Sequence, residues 1–220
     1  MVSSRSPRKN LRDITETHDR DRMNESAIVI MARSPEKGEV KTRLGPALDA
    51  GERRKLYRRL LDGTVERLGN VKGADTLIAY TPAGTEDYFR RCYGKPCFEQ
   101  KGEDLGQRLF NALGHLFEMG YEYAAAVGSD IPGLDSRIAG SALAALKRAD
   151  LVIGPSTDGG YYLIGLREPR SDLFKDIPWS TEGVLKSTVT KARQMGMSME
   201  ILDILDDIDT PEDLKRLGMI

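Results

Sequence analysis

AIVIMARSPEKGEVKTRL, residues 27–44, decides how the chain is read. Its first six residues, Ala27 to Ala32, form an unbroken apolar run of the length and composition of a buried strand. The remainder is a polar loop carrying Arg33, Lys37, Lys41 and Arg43 around Gly38. Ligands of open α/β sheets sit beyond the carboxyl ends of the strands, so a cationic loop at that place is a candidate anion-binding turn. Arg offers a planar fork to phosphate oxygens and Lys a point charge. The loop is no Walker A motif, because no Gly directly precedes Lys41. Taken alone it reads equally well as a solvated basic loop.

Outward from this stretch, strands and helices alternate. Asp49 with Glu52 predicts a capping box for a helix to about Leu68, with Leu56, Leu60, Leu61, Val65 and Leu68 on one side. Further strands are expected at 76–80, 123–127, 151–154, 161–166 and 199–203, with helices at 85–92, 104–118 and 136–148. Ser180 or Thr181 is expected to cap a helix reaching about Met195. Thr210 and Pro211 read as the cap and first turn of a terminal helix. The alternation predicts a three-layer α/β/α sandwich with a mostly parallel mixed sheet in one domain over 27–220. Residues 1–26 hold eleven charged residues and no periodicity, and read as a flexible tail.

Composition narrows the function classes. Lys plus Arg total 33 and Asp plus Glu 34 in 220 residues, a net charge of -1, which argues against a nucleic-acid binder. The apolar runs are far too short to span a bilayer, so no membrane association is expected. Cys92 and Cys97 cannot build a disulfide framework and read as two reduced thiols of a cytoplasmic protein. Two histidines without a helical pair make a His-based zinc site improbable. There is no G-x-S-x-G elbow, no G-x-G-x-x-G after the first strand and no H-E-x-x-H.

Chemistry-bearing residues recur at the expected strand ends. Asp130, in Gly128-Ser129-Asp130-Ile131-Pro132, suits a hard cation, although turns use the same residues. Asp207 and Asp209 sit two apart, so in extended chain they point to one side and can share a metal with Asp130. An acid-rich helix N-terminus explains Asp209 without any ligand. The amides and Gln side chains of Gln100 to Arg108 suit a base or ribose. Asp158-Gly159 is an ordinary hairpin signal, and Trp179 walls either a pocket or the core.

Six segments in this order resemble the GT-A nucleotide-diphospho-sugar transferase superfamily. They are MARSPEKGEVKTRL (31–44), GEDLGQRL (102–109), GSDIPGL (128–134), GPSTDGGYYLIGL (154–166), PWST (178–181) and DIDTPEDL (207–214). The likeness is to its small glycosyltransferase-like branch, DUF2064, itself similar to 2-phospholactate guanylyltransferase. The resemblance implies a GT-A, Rossmann-like fold and a nucleoside triphosphate or nucleotide sugar bound at the first-strand loop. It implies Lys41, Arg43 and Asp130 as catalytic residues. Ala32, Arg33, Ser34, Lys41, Gln100, Gly102, Leu105, Gly106 and Gln107 would bind the nucleotide. Asp130, Asp207 and Asp209 would hold Mg²⁺ or Mn²⁺, and Asp158, Gly159, Gly160, Trp179 and Ser180 would face a small-molecule acceptor. Ser34-Pro35 replaces the family's Gly-Gly pair, and Gly128 takes the place of the first aspartate of D-x-D.

The expected activity is metal-dependent nucleotidyl transfer to a small phosphorylated or anionic acceptor. Glycosyl transfer from a nucleotide sugar, or a non-catalytic nucleotide-binding module, are the alternatives.

Overall fold

The computed structural model describes residues 24–218. Of the expected tail, residues 1–23 lie outside the described residues. Asn24 and Glu25 are already tied to the fold: the Asn24 amide donates to Asp75 at 2.9 Å, and the Glu25 carbonyl accepts from Glu122 and Tyr123.

The elements are β1 (Ser26–Arg33), α1 (Ala50–Leu68), β2 (Ala74–Thr81), α2 (Glu86–Tyr93), β3 (Cys97–Glu99), α3 (Leu105–Glu118), β4 (Tyr123–Gly128), α4 (Ser136–Leu146), β5 (Leu151–Pro155), β6 (Tyr161–Leu166), α5 (Val184–Gln194), β7 (Met199–Ile201) and α6 (Pro211–Arg216). Short 3-10 turns occupy Thr42–Leu44 and Ser171–Phe174. The capping box of α1 is formed: Glu52 N–H donates to Asp49 at 2.8 Å, and Asp49 N–H to Glu52 at 2.9 Å. Thr210 caps α6, with Pro211 in its first turn.

Three expectations needed correction. β3 was not anticipated, because three residues are too few to show a period. The last strand stops at Ile201. Neither Ser180 nor Thr181 caps α5, whose N-cap is Gly183 with no side-chain cap. The Thr181 hydroxyl instead donates to the Pro178 carbonyl at 2.7 Å and accepts from Gly183 N–H, a local turn that competes with helix.

The seven-stranded sheet runs β3-β2-β1-β4-β6-β5-β7. Only β6 runs antiparallel to its neighbours. The five residues between β5 and β6 force that reversal, with Gly159 at φ 85° supplying the left-handed step. Strand residues alternate between faces. Ile28 and Ile30 pack with Leu61, Phe89 and Leu146 beneath α1, α2 and α4. Val29 and Leu77 pack with Leu113 and Phe174 on the side of α3 and α5. Each such side chain contributes about 1.5–3 kcal/mol on burial. The result is the expected three-layer sandwich.

From β1 the chain builds outward to β2 and β3, then returns to β4 on the other side of β1. The β1/β4 crevice is therefore the topological switch point, where open α/β sheets bind ligands. Met31 lies opposite Gly128, so the loops leaving both strands start at one level.

A candidate active site at the β1/β4 crevice

The cationic loop after β1 and the acidic segment before α6 meet at this crevice. Lys41 Nζ lies 2.5 Å from Asp130 and 3.5 Å from Asp209. Arg43 reaches the other Asp209 oxygen at 3.0 Å. The Lys41 side chain is only 5% exposed. Burial opposes its charge, but Asp130, Asp209 and Asp207 outweigh that and hold its pKa above the ordinary lysine value. Lys41 also adopts φ 52°, a left-handed conformation sparsely used by residues other than Gly.

A small apolar cluster holds the two segments together. Leu44 and Leu56 pack with Ile208 and Leu214. Ile208, 1% exposed, points inward. Its neighbours Asp207 and Asp209 therefore point the other way, as extended alternation requires.

Helix α1 grips the loop after β4. The Tyr57 hydroxyl accepts the Arg33 N–H at 2.8 Å and shares a hydrogen bond with the Ser129 hydroxyl at 3.0 Å, tying the ends of β1 and β4 together. Burial raises the Tyr57 pKa, which keeps the phenol neutral. Thr64 donates to the Ser129 carbonyl at 3.3 Å, and Arg67 to the carbonyls of Leu134 and Ile131 at 2.8 and 3.3 Å. Asp130 is thus presented by a clamped loop. Sequence reasoning missed this clamp, although a tyrosine inside the buried stripe of a helix signals a hydroxyl in need of a partner.

Arg43, Asp130, Asp207 and Asp209 line an open cleft of about 970 Å³ together with Asp158, Gly160, Trp179, Ser180 and Leu105. Tyr161, Tyr162 and Glu182, which sequence reasoning did not single out, line it as well. Here glycines do the assembling. A side chain on Gly106 would strike the Trp179 ring at about 2.6 Å, so the indole lies against the start of α3. One on Gly159 would meet the Glu182 carbonyl at 2.4 Å. The Gly159 carbonyl accepts from Leu185, docking the β5–β6 loop on α5. Asp158 Oδ1 accepts from the Ser156 hydroxyl at 2.5 Å and from Gly160 N–H at 2.9 Å. Ser180 is exposed and holds φ 65°.

The remaining expected nucleotide residues lie outside that lining. Ala32 and Ser34 are buried. Ser34 donates its N–H to the Thr81 carbonyl, and its hydroxyl accepts from Glu36. The Gln100 amide donates to the carbonyls of Ala32 and Ala79 at 3.1 and 2.7 Å, leaving its oxygen for other partners. Gln107 bonds to Asp104 and Glu103, while the Gly102 carbonyl accepts from Arg108. Gly102 itself, at φ 134°, leaves no room for a side chain beside Gln107. Arg33 is exposed and donates to the Glu39 carbonyl.

Asp130, Asp207 and Asp209, expected to share one metal, surround the Lys41 ammonium. Among the described residues no three His, Cys, Asp or Glu side chains converge on a single ion position. The donor chemistry nevertheless fits a hard divalent cation. Asp207 is pushed up to about 6 by burial and by the charges of Asp158 and Asp130, with Lys41 only partly opposing. That is a negative field that a cation would relieve. Mg²⁺ commonly uses one or two carboxylates and completes its shell from substrate phosphates and water.

Fold and relatives together define a transferase of the broad nucleotidyl- and nucleotide-sugar-transferring class. A family model, "Uncharacterized protein conserved in bacteria (DUF2064)", matches residues 64–181, and the chain belongs to that family. It is 28% identical over 184 residues to 2-phospho-L-lactate guanylyltransferase of Methanothermobacter thermautotrophicus, covering 80% of this chain and 78% of that protein. A solved "putative nucleotide-diphospho-sugar transferase" from Desulfovibrio desulfuricans G20 superposes with a TM-score of 0.84 at 35% identity, covering 89% and 87% of the two chains. Glucosyl-3-phosphoglycerate synthase of Mycobacterium tuberculosis, solved with Mn²⁺ and UDP, shares the fold at a TM-score of 0.54 and 11% identity, over 98% and 81%. No helix among the described residues is long and apolar enough to cross a membrane.

Proposed function

We propose that the chain is a metal-dependent nucleotidyltransferase that uses a nucleoside triphosphate and a small acceptor. The observation that carries this reading is the buried Lys41 ammonium between Asp130 and Asp209, with Arg43 beside it, at the switch point of the sheet. The guanylyltransferase relative supports it.

In this reading Lys41 and Arg43 bind the donor phosphates and stabilise the charge that develops on the leaving pyrophosphate. The loops around Gln100 to Gln107 hold base and ribose, and the β5–β6 loop with Trp179 positions the acceptor. Asp130 and Asp207, with Asp209, would hold Mg²⁺ or Mn²⁺, which when bound neutralises phosphate charge and aligns the reacting groups. The clamp on Ser129 keeps Asp130 in register with Lys41 throughout. The domain spans 27–220 in this proposal.

A panel of nucleoside triphosphates and nucleotide sugars, with and without Mg²⁺ or Mn²⁺, tests it by thermal shift and by product. A bound donor raises apparent stability by mass action. Released pyrophosphate is expected. Asp130→Asn that retained both metal-dependent nucleotide binding and turnover would overturn the assignment. The aromatic wall of Trp179 and Tyr161, which suits a sugar ring, favours glycosyl transfer as the second reading. Its product is a nucleoside diphosphate.

A further inference from the structure

The ion pairs at the crevice leave its carboxylates with little to offer a free cation. Both oxygens of Asp209 already face a positive charge, Oδ1 the Lys41 ammonium at 3.5 Å and Oδ2 the Arg43 guanidinium at 3.0 Å. One oxygen of Asp130 is taken by Lys41 at 2.5 Å. A divalent cation that used Asp130 and Asp209 would have to displace these partners or sit beside two like charges. Where water is scarce, that repulsion is several times larger than in bulk solution.

The parts of this arrangement differ in how firmly they are held. Asp130 is presented by the loop that Tyr57 and Thr64 clamp at Ser129. The backbone is anchored on both sides of Lys41, by Val40 in the core beneath β1 and by Leu44 in the cluster with Ile208 and Leu214. The Lys41 carbonyl accepts from Leu44 N–H at 3.0 Å. What can leave is the Lys41 side chain itself, a point charge on a flexible, unbranched stem. Arg43, 60% exposed, lines the cleft and meets an entering anion first. A phosphate chain offers both cations charge-assisted hydrogen bonds of the kind they already make to carboxylate. Each cation drawn onto it frees a carboxylate oxygen.

We infer that Lys41 gates the carboxylates: paired with Asp130 and Asp209 it turns away a free divalent cation, and the cation is admitted only together with an anionic donor whose phosphates draw the ammonium off. The gate rests on the transferase reading for the ligand that opens it, but not for its closed state. Coupling of this kind is reciprocal, so donor and cation each strengthen the other's binding. The protein thereby selects the metal–donor pair and ignores the free ion.

The full chain is titrated with Mn²⁺ alone, bound ion being read from the loss of the free-ion electron paramagnetic resonance signal. Lys41→Met is expected to bind Mn²⁺ about tenfold more tightly than the unaltered protein, or better. Lys41→Arg, which keeps the charge, should show no gain, and Lys41→Met/Asp130→Asn should lose it. Equal affinity in the unaltered protein and Lys41→Met overturns the inference. So does a gain in Lys41→Arg, or one that survives Asp130→Asn, since the ion then sits elsewhere. Should Lys41→Met fail to fold by circular dichroism, Lys41→Gln, neutral but still polar, takes its place with the same expectations. With a donor saturating for both proteins, the Mn²⁺ concentration that gives half the thermal shift should agree within about threefold, because the ammonium has then left the carboxylates. A difference that persists in full overturns the gate. Failure of the transferase reading looks different: no triphosphate or nucleotide sugar shifts the melting temperature, while the donor-free Mn²⁺ titrations still decide the closed state.

Discussion

Around Lys41 the cleft is held by ion pairs above a four-residue apolar cluster; around Trp179 it is held by glycines pressed against backbone and ring. The first arrangement joins segments 166 residues apart, since Arg43 bonds Asp209. The second joins Gly159 to Glu182 nearby in the chain, and Gly106 to the more distant Trp179. Ion pairs buried with several carboxylates impose a charge requirement on whatever enters, which suits phosphates and cations. Close-packed glycines fix the shape of the wall that Trp179 and the β5–β6 loop present. One fold can therefore keep one half of the site constant in chemistry and vary the other by loop sequence.

Breaking the charged half should have the largest effect. Lys41→Met removes the cation between Asp130 and Asp209. Turnover is expected to fall about a hundredfold to a thousandfold, or about 3–4 kcal/mol in barrier. Steady-state kinetics under saturating donor measures it, and a loss below tenfold would show that Lys41 only supports structure.

Next comes the apolar cluster. Ile208→Ala should cost about 3 kcal/mol of stability by denaturant unfolding, because Ile208 is fully buried against Leu44 and Leu214. Donor affinity should weaken as Asp207 and Asp209 lose their anchor, while Trp179 emission stays put. Altered Trp179 emission with intact donor binding would mean that the two halves are coupled in the opposite sense.

Gly159→Ala attacks the other half. It puts a side chain at φ 85° and 2.4 Å from the Glu182 carbonyl, so about 2 kcal/mol of strain is expected. Acceptor KM should rise with donor affinity unchanged. The reverse pattern would place the β5–β6 loop in donor binding.

The smallest effect is a gain. Burial and the charges of Asp158 and Asp130 raise Asp207 to about 6, above its unfolded value near 3.8. The folded state therefore holds the extra proton. The stabilisation is fully present below the unfolded value and is lost as pH rises through about 6. At pH 7.5 the ionised Asp207 opposes folding. Asp207→Asn should stabilise the protein there by about 1 kcal/mol, the shift being discounted for a half-exposed group, and make little difference at pH 4. Melting curves at both pH values decide it. A destabilised variant at pH 7.5 would show that Lys41 already neutralises Asp207.

Much of this architecture was legible in the residues. Apolar runs such as Ala27 to Ala32 and Tyr123 to Val127 mark buried strands by length alone. The Asp49–Glu52 and Thr210–Pro211 signals are local, and both formed. The meeting of the Lys41 loop with Asp130 and Asp209 was legible as a motif order but not as a geometry. The lysine between Asp130 and Asp209 was not foreseen, because spacing along a chain says nothing of a side chain arriving from another element. The helix cap at Ser180 failed for a related reason: the Thr181 hydroxyl found a closer local carbonyl.

By itself, then, the sequence determined the layers, the strand ends on which chemistry stands and the alternation that turns Asp207 and Asp209 to one side, since all of these follow from periodicity and local capping. Only the tertiary structure decided that Lys41 sits buried between Asp130 and Asp209, and that Tyr57 and Arg67 clamp the Asp130 loop. Those facts depend on how distant segments pack, and packing free energy belongs to the assembled core rather than to any window of residues.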